Sequence, residues 1–323
     1  LTRSSAASDV YKRQILSLPV RYGGLGIQNP SLTAQLEYEA SSQVTGELTK
    51  QIYDQSLTYE NLDHSKVEKV KLELKSSKEA RVKKEFDHIC SQLKQVDPLT
   101  ERALKSACEK GASSWISALP LKHLGYTLNK QEFRDALCLR YNWLIDDIPT
   151  FCGCGMKNDI VHILSCKKGG YVTMRHNALR DSIAQMMREG GCSDVRTEPP
   201  LLPVNAADFS TQTNTSDGAR LDISARGINS TFERSFYDVR VSHPHCASNV
   251  VLSLPELYEK NEKEKVLKYE ERVRECEKGS FTPLVFLTTG GMGPKCTKTV
   301  KRLADHISTR RNEKYSHVMN FVR

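Results

Sequence analysis

The sequence predicts an α+β protein, with an all-α N-terminal region and a C-terminal region of order α-β-β-β-α-β. Three observations lead to this prediction. Apolar residues recur at helical spacing through most of 31–145, a cysteine-rich run at 152–166 interrupts that pattern, and short strands follow it. The 323 residues are enough for two domains, each with its own core.

The first fourteen residues, LTRSSAASDVYKRQ, differ from the rest. They show no apolar periodicity, and we interpret 1–14 as an adapter-derived or disordered tail outside the fold. Because the chain begins at Leu1 rather than Met, we also expect it to be a fragment. The net charge of +8 suits a nucleic-acid partner, although many unrelated proteins share such a charge.

The region 15–148 is predicted to be α-helical apart from a Gly- and Pro-rich loop at 18–30, with Trp115 and Trp143 as core anchors. Polar and apolar residues alternate at helical spacing, and Gly, Pro and Asp mark the ends of segments. The expected helices lie at 31–58, 62–96, 97–113 and 128–145.

From residue 170 onward, helical and extended patterns alternate. Two neighbouring strands, 219–225 and 232–244, are expected to pair antiparallel. No apolar run approaches the length of about 20 residues that a membrane span needs, so we expect no membrane partner. The remaining predicted elements are a helix at 171–191, a strand at 193–200, a helix at 255–277, a strand at 281–291, and helices at 295–311 and 313–322.

The run CGCGMKNDIVHILSC predicts a structural zinc site, a zinc knuckle at 149–169. Cys3His is a usual zinc ligand set, and four protein ligands leave no position for a catalytic water. The glycines beside the first two cysteines allow a tight turn, and a spacing of four places the last two ligands on one helical face. The alternative is that these four residues bind no metal. It stays open because the single residue between the first two cysteines is a tighter spacing than zinc sites usually have. The expected ligands are Cys152, Cys154, His162 and Cys166.

The other seven cysteines are scattered along the chain, which argues against a disulfide framework and favours a reducing compartment.

Two aspartates on neighbouring predicted strands, Asp222 and Asp238, indicate a second metal site. Paired carboxylates can share Mg²⁺, which prefers oxygen ligands. Arg240 lies on the same strand face as Asp238, and Lys265 and Tyr269 lie one turn apart on the next helix. Such a group suits phosphodiester hydrolysis, in which an ion activates water and a cation steadies developing charge.

A structural explanation of the two aspartates stays open. They can form salt bridges with Arg220 and Arg240, although Asp is disfavoured inside strands.

The order of these motifs resembles the C-terminal part of non-LTR retrotransposon polyproteins with a restriction-enzyme-like endonuclease, a member of the PD-(D/E)-x-K nuclease superfamily. Residues 18–42 look like the segment that follows the reverse-transcriptase thumb. The resemblance covers about 15–323 and is strongest from 150 to 290. The motifs, in order, are C-x-C…H…C, RHN at 175–177, EP at 198–199, a strand Asp, DVRV at 238–241 and K-x3-Y on a helix.

This resemblance implies a nuclease that nicks target DNA in the nucleus, after synthesis in the cytoplasm. The freed 3′ end then primes reverse transcription of the element RNA. It also implies that 15–148 is a post-reverse-transcriptase linker, that 170–323 is the endonuclease domain, and that the reverse transcriptase itself is missing from the fragment. No F/Y-x-D-D polymerase motif occurs in the sequence.

The resemblance implies roles for individual residues. Asp222 and Asp238 correspond to the two acids that bind Mg²⁺ or Mn²⁺, and Lys265 corresponds to a lysine that has moved onto the helix, with Tyr269 beside it. Arg240 stands where the superfamily usually has its lysine.

Two departures leave choices open. Lys265, Lys268 and Arg240 are all candidates for the catalytic cation. Leu221 replaces the proline before the first acid, and Asp217 is a weaker rival for that acid.

Five residues around the end of the knuckle are predicted to contact nucleic-acid phosphates without reading sequence: Lys167, Lys168, Arg175, His176 and Arg180. A solvated basic face is the alternative. For the whole chain, the alternatives to an endonuclease are a catalytically inactive nucleic-acid-binding module of a decayed retroelement and an unrelated zinc-stabilised scaffold.

Overall fold

A computed structural model describes residues 3–56, 64–125 and 127–322. Over these residues the protein combines helices with a four-stranded mixed sheet, which confirms the α+β prediction at this level. The chain divides into two compact units, Leu1–Cys108 and Glu109–Arg323. In the described part of the chain, no helix has both the length and the apolar character needed to cross a membrane.

Over its described residues, 3–56 and 64–108, the first unit contains helices and no strand. Its core includes Ile15 and Leu18, both fully buried. The expectation of a disordered tail is wrong for most of 1–14, because α1 covers it; the segment contains no Gly or Pro to stop a helix that continues into the core. The helices are α1 (Arg3–Ser17), α2 (Pro30–Tyr53), α3 (His64–Val96) and α4 (Pro98–Ala107).

Local capping explains where two of these helices begin. The Asn29 side chain accepts the Ser31 N–H at 3.1 Å, and the Asp97 side chain accepts the Thr100 N–H at 3.1 Å. Each cap is followed by a proline at the first helical position. The predicted helix at 31–58 ends earlier, at Tyr53, and part of its expected end lies outside the described residues.

The second unit contains the sheet, whose strand order is β1-β2-β3-β4. The first three strands are antiparallel, and β4 runs parallel to β3, with Asp238 in register with Pro283. The predicted antiparallel pairing of the middle strands is therefore confirmed. The strands are β1 (Ser193–Thr197), β2 (Ile223–Arg226), β3 (Arg234–Ser242) and β4 (Ser280–Leu287).

Helices cover both faces of this sheet. On one face, apolar residues of α8, α10 and α11 pack against Ile223, Val239 and Leu284. On the other face, α9 packs against Phe236 and Phe281. The helices of this unit are α5 (Ser114–Ser117), α6 (Lys130–Tyr141), α7 (Ile160–Ser165), α8 (Tyr171–Glu189), α9 (Leu254–Arg272), α10 (Pro294–Arg311) and α11 (Tyr315–Val322).

The unit boundary falls inside 15–148, which the sequence predicts to be a single region. Residues from Glu109 onward belong with the sheet, because the Tyr258 hydroxyl donates to the Glu109 carboxylate at 3.0 Å. The expectation for the tryptophans is also wrong in part. Trp115 and Trp143 are only half-buried, whereas Tyr141 is fully buried and lies 4.6 Å from the Trp143 ring.

Candidate functional site

The cysteine-rich segment forms a turn and a short helix that bring its ligands together. In the turn, the Gly155 N–H donates to Cys152 O at 2.8 Å, and Gly155 has a φ of +90°, which glycine adopts without a Cβ clash. Helix α7 then begins at a cap, where the Asp159 side chain accepts the His162 N–H at 2.7 Å. The turn and the helix therefore bring the two cysteines of the first half close to the histidine and the cysteine of the second half.

The four ligand atoms match the dimensions of a zinc site. They all lie within 4.8 Å of one another. Cys152 Sγ is 3.8 Å from Cys166 Sγ, and Cys154 Sγ is 3.2 Å from His162 Nε2. A tetrahedral ion with Zn–S bonds of about 2.3 Å places two sulfurs about 3.8 Å apart. The Cys154 backbone N–H lowers the pKa of the Cys152 thiol, which favours its thiolate, whereas desolvation and the neighbouring Cys152 and Cys154 thiols raise the pKa of Cys166. The predicted Cys3His group can therefore hold a metal ion, consistent with zinc.

Arg175 ties this metal-binding segment to helix α8. Its guanidinium donates to Leu164 O at 3.1 Å, inside α7 and between two of the metal ligands. Burial of the guanidinium lowers the pKa of Arg175. The segment is therefore braced against the helix that leads to the sheet.

Asp222 lies where the pairing of β2 with β3 departs from a regular ladder. Its backbone N–H donates to Tyr237 O at 3.1 Å, and its side-chain Oδ2 accepts the Val239 N–H at 2.6 Å. The carboxylate thus takes the place that a backbone carbonyl has in a regular antiparallel pair. His176 Nε2 lies 3.2 Å from the same oxygen, and the hydrogen bond to Asp222 raises the pKa of His176.

Asp238 lies on the adjacent strand and is only 5% exposed. Lys265 Nζ, from α9, is 2.5 Å from Asp238 Oδ2. Burial raises the pKa of Asp238, and the nearby Asp222 carboxylate acts in the same direction, whereas the Lys265 ammonium opposes both. Asp238 and Lys265 thus form an ion pair between β3 and α9, and the Asp222 carboxylate is near enough to act on the pKa of Asp238.

The structure separates the candidate lysines. Lys265 contacts Asp238, whereas Lys268 Nζ lies 5.1 Å from the centre of the Tyr269 ring. The same ring is buried, packs 5.7 Å from Phe281 and lies 5.8 Å from Lys265 Nζ. Tyr269 therefore adjoins both lysines, but of the two only Lys265 reaches an acid of the pair.

The arginines considered as structural partners of the aspartates pair elsewhere. Arg220 lies 3.9 Å from Glu198, and Arg240 lies 3.3 Å from Glu264. The idea that the two aspartates serve only to bind these arginines is therefore wrong. Asp217 is exposed in the turn before β2, and it forms no ion pair within the described residues.

Comparison with known proteins assigns no family. No family model matches this chain, and no curated protein matches it. Functional inference therefore depends on the geometry of the site.

The five residues predicted to contact phosphates do not form one exposed face. Lys167 and Lys168 are exposed at the end of the metal-binding segment. Arg175 and His176 bind groups of the protein itself, and the Arg180 side chain, 11% exposed, pairs with two carboxylates. A helical spacing cannot reveal which residues turn inward, because that depends on what packs against the helix.

Glu198 belongs to the site, although its position in the sequence predicts no role for it. Its N–H donates to Asp222 O at 2.9 Å, and its carboxylate pairs with Arg180 and Arg220. Its φ of +51° lies in the left-handed region that residues other than glycine rarely adopt. The only signal in the sequence is the EP dipeptide, which gives no information about pairing with the first acid.

Proposed function

We propose that this chain is a metal-dependent DNA endonuclease fragment of a non-LTR retrotransposon. The observation that carries the proposal is the meeting of three residues that are distant in sequence. Lys265 Nζ lies 2.5 Å from Asp238 Oδ2, and Asp222 lies directly before β2, the strand that pairs with the strand of Asp238. An acid pair with a cation is the set of groups that phosphodiester hydrolysis uses.

The order of elements supports the restriction-enzyme-like fold. From α8 onward it is α-β-β-β-α-β, as in the nuclease core that the sequence resembles. Asp222 directly precedes β2, Asp238 lies within β3, and Lys265 lies on α9. These positions agree with the two acids and the displaced lysine of the resemblance, and they favour Lys265 over Lys268 and Arg240 as the catalytic cation.

Asp222 and Asp238 are suited to hold Mg²⁺ or Mn²⁺. Among the described residues, the side-chain contacts of both run through Oδ2, so each Oδ1 is left as an oxygen ligand for a hard ion. Burial raises the pKa of Asp238, and a nearby cation offsets that penalty on its ionisation. When bound, the ion polarises the scissile phosphate and activates a water.

The side chains around the acids have separable roles in this proposal. Lys265 steadies the negative charge that develops on the phosphate. Tyr269 limits the movement of the Lys265 side chain, since the buried ring lies 5.8 Å from Nζ. His176 restrains the Asp222 carboxylate from the opposite face of the sheet. Arg240, half-exposed and paired with Glu264, stays a predicted second cation at the rim of the site.

The proposed setting is target-primed reverse transcription. The chain nicks nuclear DNA, and a reverse transcriptase domain from the same polyprotein copies the element RNA from the freed 3′ end. In this setting, zinc in the Cys3His group has a structural role, because all four positions are filled by protein ligands. It holds the segment that Arg175 braces against α8.

Nicking of supercoiled plasmid by the full chain tests the proposal. We expect relaxed circles with Mg²⁺ or Mn²⁺ and none when the divalent ion is omitted, a control that leaves zinc in place. Asp222→Asn, Asp238→Asn and Lys265→Ala should each lower the rate by about 100-fold or more. Asp217→Asn and Lys268→Ala are matched controls and should keep the parent rate. Equal loss from Lys268→Ala and Lys265→Ala would contradict the assignment of the cation.

A catalytically inactive nucleic-acid-binding module is the second candidate. The observation that favours it is the burial of Asp238 in an ion pair, since a purely structural pair has the same features. Salt-dependent DNA binding without nicking in either metal supports this candidate. Neither binding nor nicking supports a zinc-stabilised scaffold instead.

A further inference from the structure

Large apolar side chains around the metal-binding segment are exposed rather than packed. Phe151 is 64% exposed and Tyr171 is 71% exposed. Met156 and Met174 are each 63% exposed. Exposed apolar side chains in such number on a small module indicate an interaction surface.

These side chains belong to one module. Phe151 pairs with Lys157 across the turn and directly precedes the first metal ligand. Tyr171 begins α8, five positions after the last ligand, Cys166. The first and last ligands, Cys152 and Cys166, lie 3.8 Å apart at their sulfurs, so the two ends of the segment, near which Phe151 and Tyr171 lie in sequence, are close together.

The charge of this module is complementary to a polyanion. Lys157, Lys167 and Lys168 are all exposed, and none forms a salt bridge within the described ranges. The neighbouring acid, Asp159, is occupied as the cap of α7. Aromatic side chains interspersed with lysines are the groups that single-stranded nucleic acids bind, through base stacking and phosphate contacts.

We propose that Phe151, Tyr171, Lys157, Lys167 and Lys168 form a binding surface for single-stranded nucleic acid, here called the knuckle surface. The rings stack on unpaired bases, and the lysines contact the adjacent phosphates. A duplex fits this surface poorly, because its base faces are already stacked on one another. The inference does not depend on nuclease activity, so it stands or fails independently of the acid site.

Binding of the zinc-loaded full chain to labelled oligonucleotides of about 20 nucleotides tests this proposal. The probes are oligo(dT), oligo(rU) and a DNA duplex of matched length, without Mg²⁺ or Mn²⁺, so that no cleavage occurs. The variants are Phe151→Ala with Tyr171→Ala, and Lys167→Ala with Lys168→Ala. Phe232→Ala and Tyr53→Ala remove side chains that are each 87% exposed elsewhere in the chain, and they serve as matched controls.

We expect the parent to bind the single strands more tightly than the duplex. The aromatic double variant should lose roughly 10–100-fold in affinity for single strands, with duplex binding nearly unchanged. The lysine double variant should weaken binding to all probes and reduce its salt dependence. The double variant Phe151→Trp with Tyr171→Phe keeps an aromatic ring at both positions and should bind single strands about as tightly as the parent. Zinc content and the melting temperature report whether each variant is folded.

Two results would overturn the proposal. In one, the folded aromatic double variant binds oligo(dT) and oligo(rU) as tightly as Phe232→Ala does. In the other, it loses duplex and single-strand affinity equally. A preference of the parent for either single strand over the duplex supports the surface, and the comparison of oligo(dT) with oligo(rU) shows whether it binds the DNA or the RNA probe more tightly.

Discussion

His176 and Asp222 connect helix α8 to the acid site, with His176 Nε2 3.2 Å from Asp222 Oδ2. The same nitrogen lies 3.0 Å from Val239 O, so the imidazole bridges a carboxylate and the backbone of β3. The preceding residue, Arg175, holds Leu164 O beside the metal ligands. Two successive residues of one helix therefore connect the metal-binding segment to the two aspartates.

Substitution of His176 should weaken the acid site without unfolding the protein. We expect His176→Ala to lower the nicking rate by about 10–100-fold and to raise the Mn²⁺ concentration needed for half-maximal activity, because the Asp222 carboxylate loses a restraint. The free energy of unfolding should fall by only about 1 kcal/mol, the usual contribution of one hydrogen bond. Titration of nicking against Mn²⁺ measures the effect, with exposed Thr173→Ala as the control. An unchanged Mn²⁺ dependence would mean that His176 has no positioning role.

Loss of zinc should affect the nuclease although no zinc ligand belongs to the acid site. We expect one zinc ion per purified chain, and loss of it in Cys152→Ser and in His162→Ala. Both variants should melt at a lower temperature and nick more slowly, because Arg175 then lacks an ordered partner in α7.

Elemental analysis, thermal melting and plasmid nicking check these outcomes together. Cys276→Ser, which changes one of the scattered cysteines, should keep both zinc and activity. Zinc-free parent protein that nicks at the full rate would exclude the coupling between the two sites.

A buried histidine should make the protein sensitive to acid. His243 is 6% exposed and its Nδ1 lies 2.7 Å from the Thr288 hydroxyl. Burial lowers the pKa of His243 from 6.5 to about 4; His245 and Arg175 act in the same direction, and Asp159 opposes them. Because the folded state resists protonation of His243, protonation of the unfolded state lowers the free energy of unfolding in acid. This loss is absent above pH 6.5 and grows as the pH falls towards about 4.

The matching variant is His243→Gln, which can keep a hydrogen bond to Thr288 without gaining a charge. Between pH 7 and about pH 4.5, the parent should lose about 2–3 kcal/mol more unfolding free energy than the variant. Urea unfolding at the two pH values measures this difference. Zinc release in acid affects both proteins, so it cancels in the comparison. If the parent and the variant lose the same unfolding free energy, a group other than His243 causes the acid sensitivity.

Much of the fold could be predicted from periodicity and from breaks in it. The three antiparallel strands, the crossover helix and the last strand occur in the predicted order, because alternation and Gly or Pro boundaries are properties of local sequence. The metal ligands could be predicted for the same reason, since turn and helix geometry brings Cys152, Cys154, His162 and Cys166 together over a short span.

Contacts between distant segments could not be predicted in this way. Spacing shows that Arg175, His176 and Arg180 lie on a helix, but not that they face the protein. Glu198 joins the site because β1 ends opposite Asp222, a register that no local pattern specifies. The choice of Lys265 over Lys268 likewise depends on how α9 is rotated against β3.

Arg272 supports the last prediction, which concerns the polar loop at 202–218. Its side chain is fully buried, although it lies in a strongly charged helix. The guanidinium donates to Leu202 O at 2.8 Å, to Asn214 O at 2.6 Å and to Ser216 O at 3.1 Å. One side chain therefore fixes both ends of the loop that leads into the first acid.

Replacement of Arg272 by Met should remove these three hydrogen bonds and leave the three loop carbonyls without this donor. We expect the free energy of unfolding to fall by about 3–5 kcal/mol, and proteases to cleave within 202–218 before the rest of the protein. Arg274→Met, two positions further on and exposed, is the matched control and should change stability by less than about 0.5 kcal/mol. Urea unfolding and limited proteolysis measure the two effects. If the two variants are equally stable, the three hydrogen bonds contribute little, and the loop must be held by its other contacts with α9, such as that of the Thr213 hydroxyl with Glu271 at 2.6 Å.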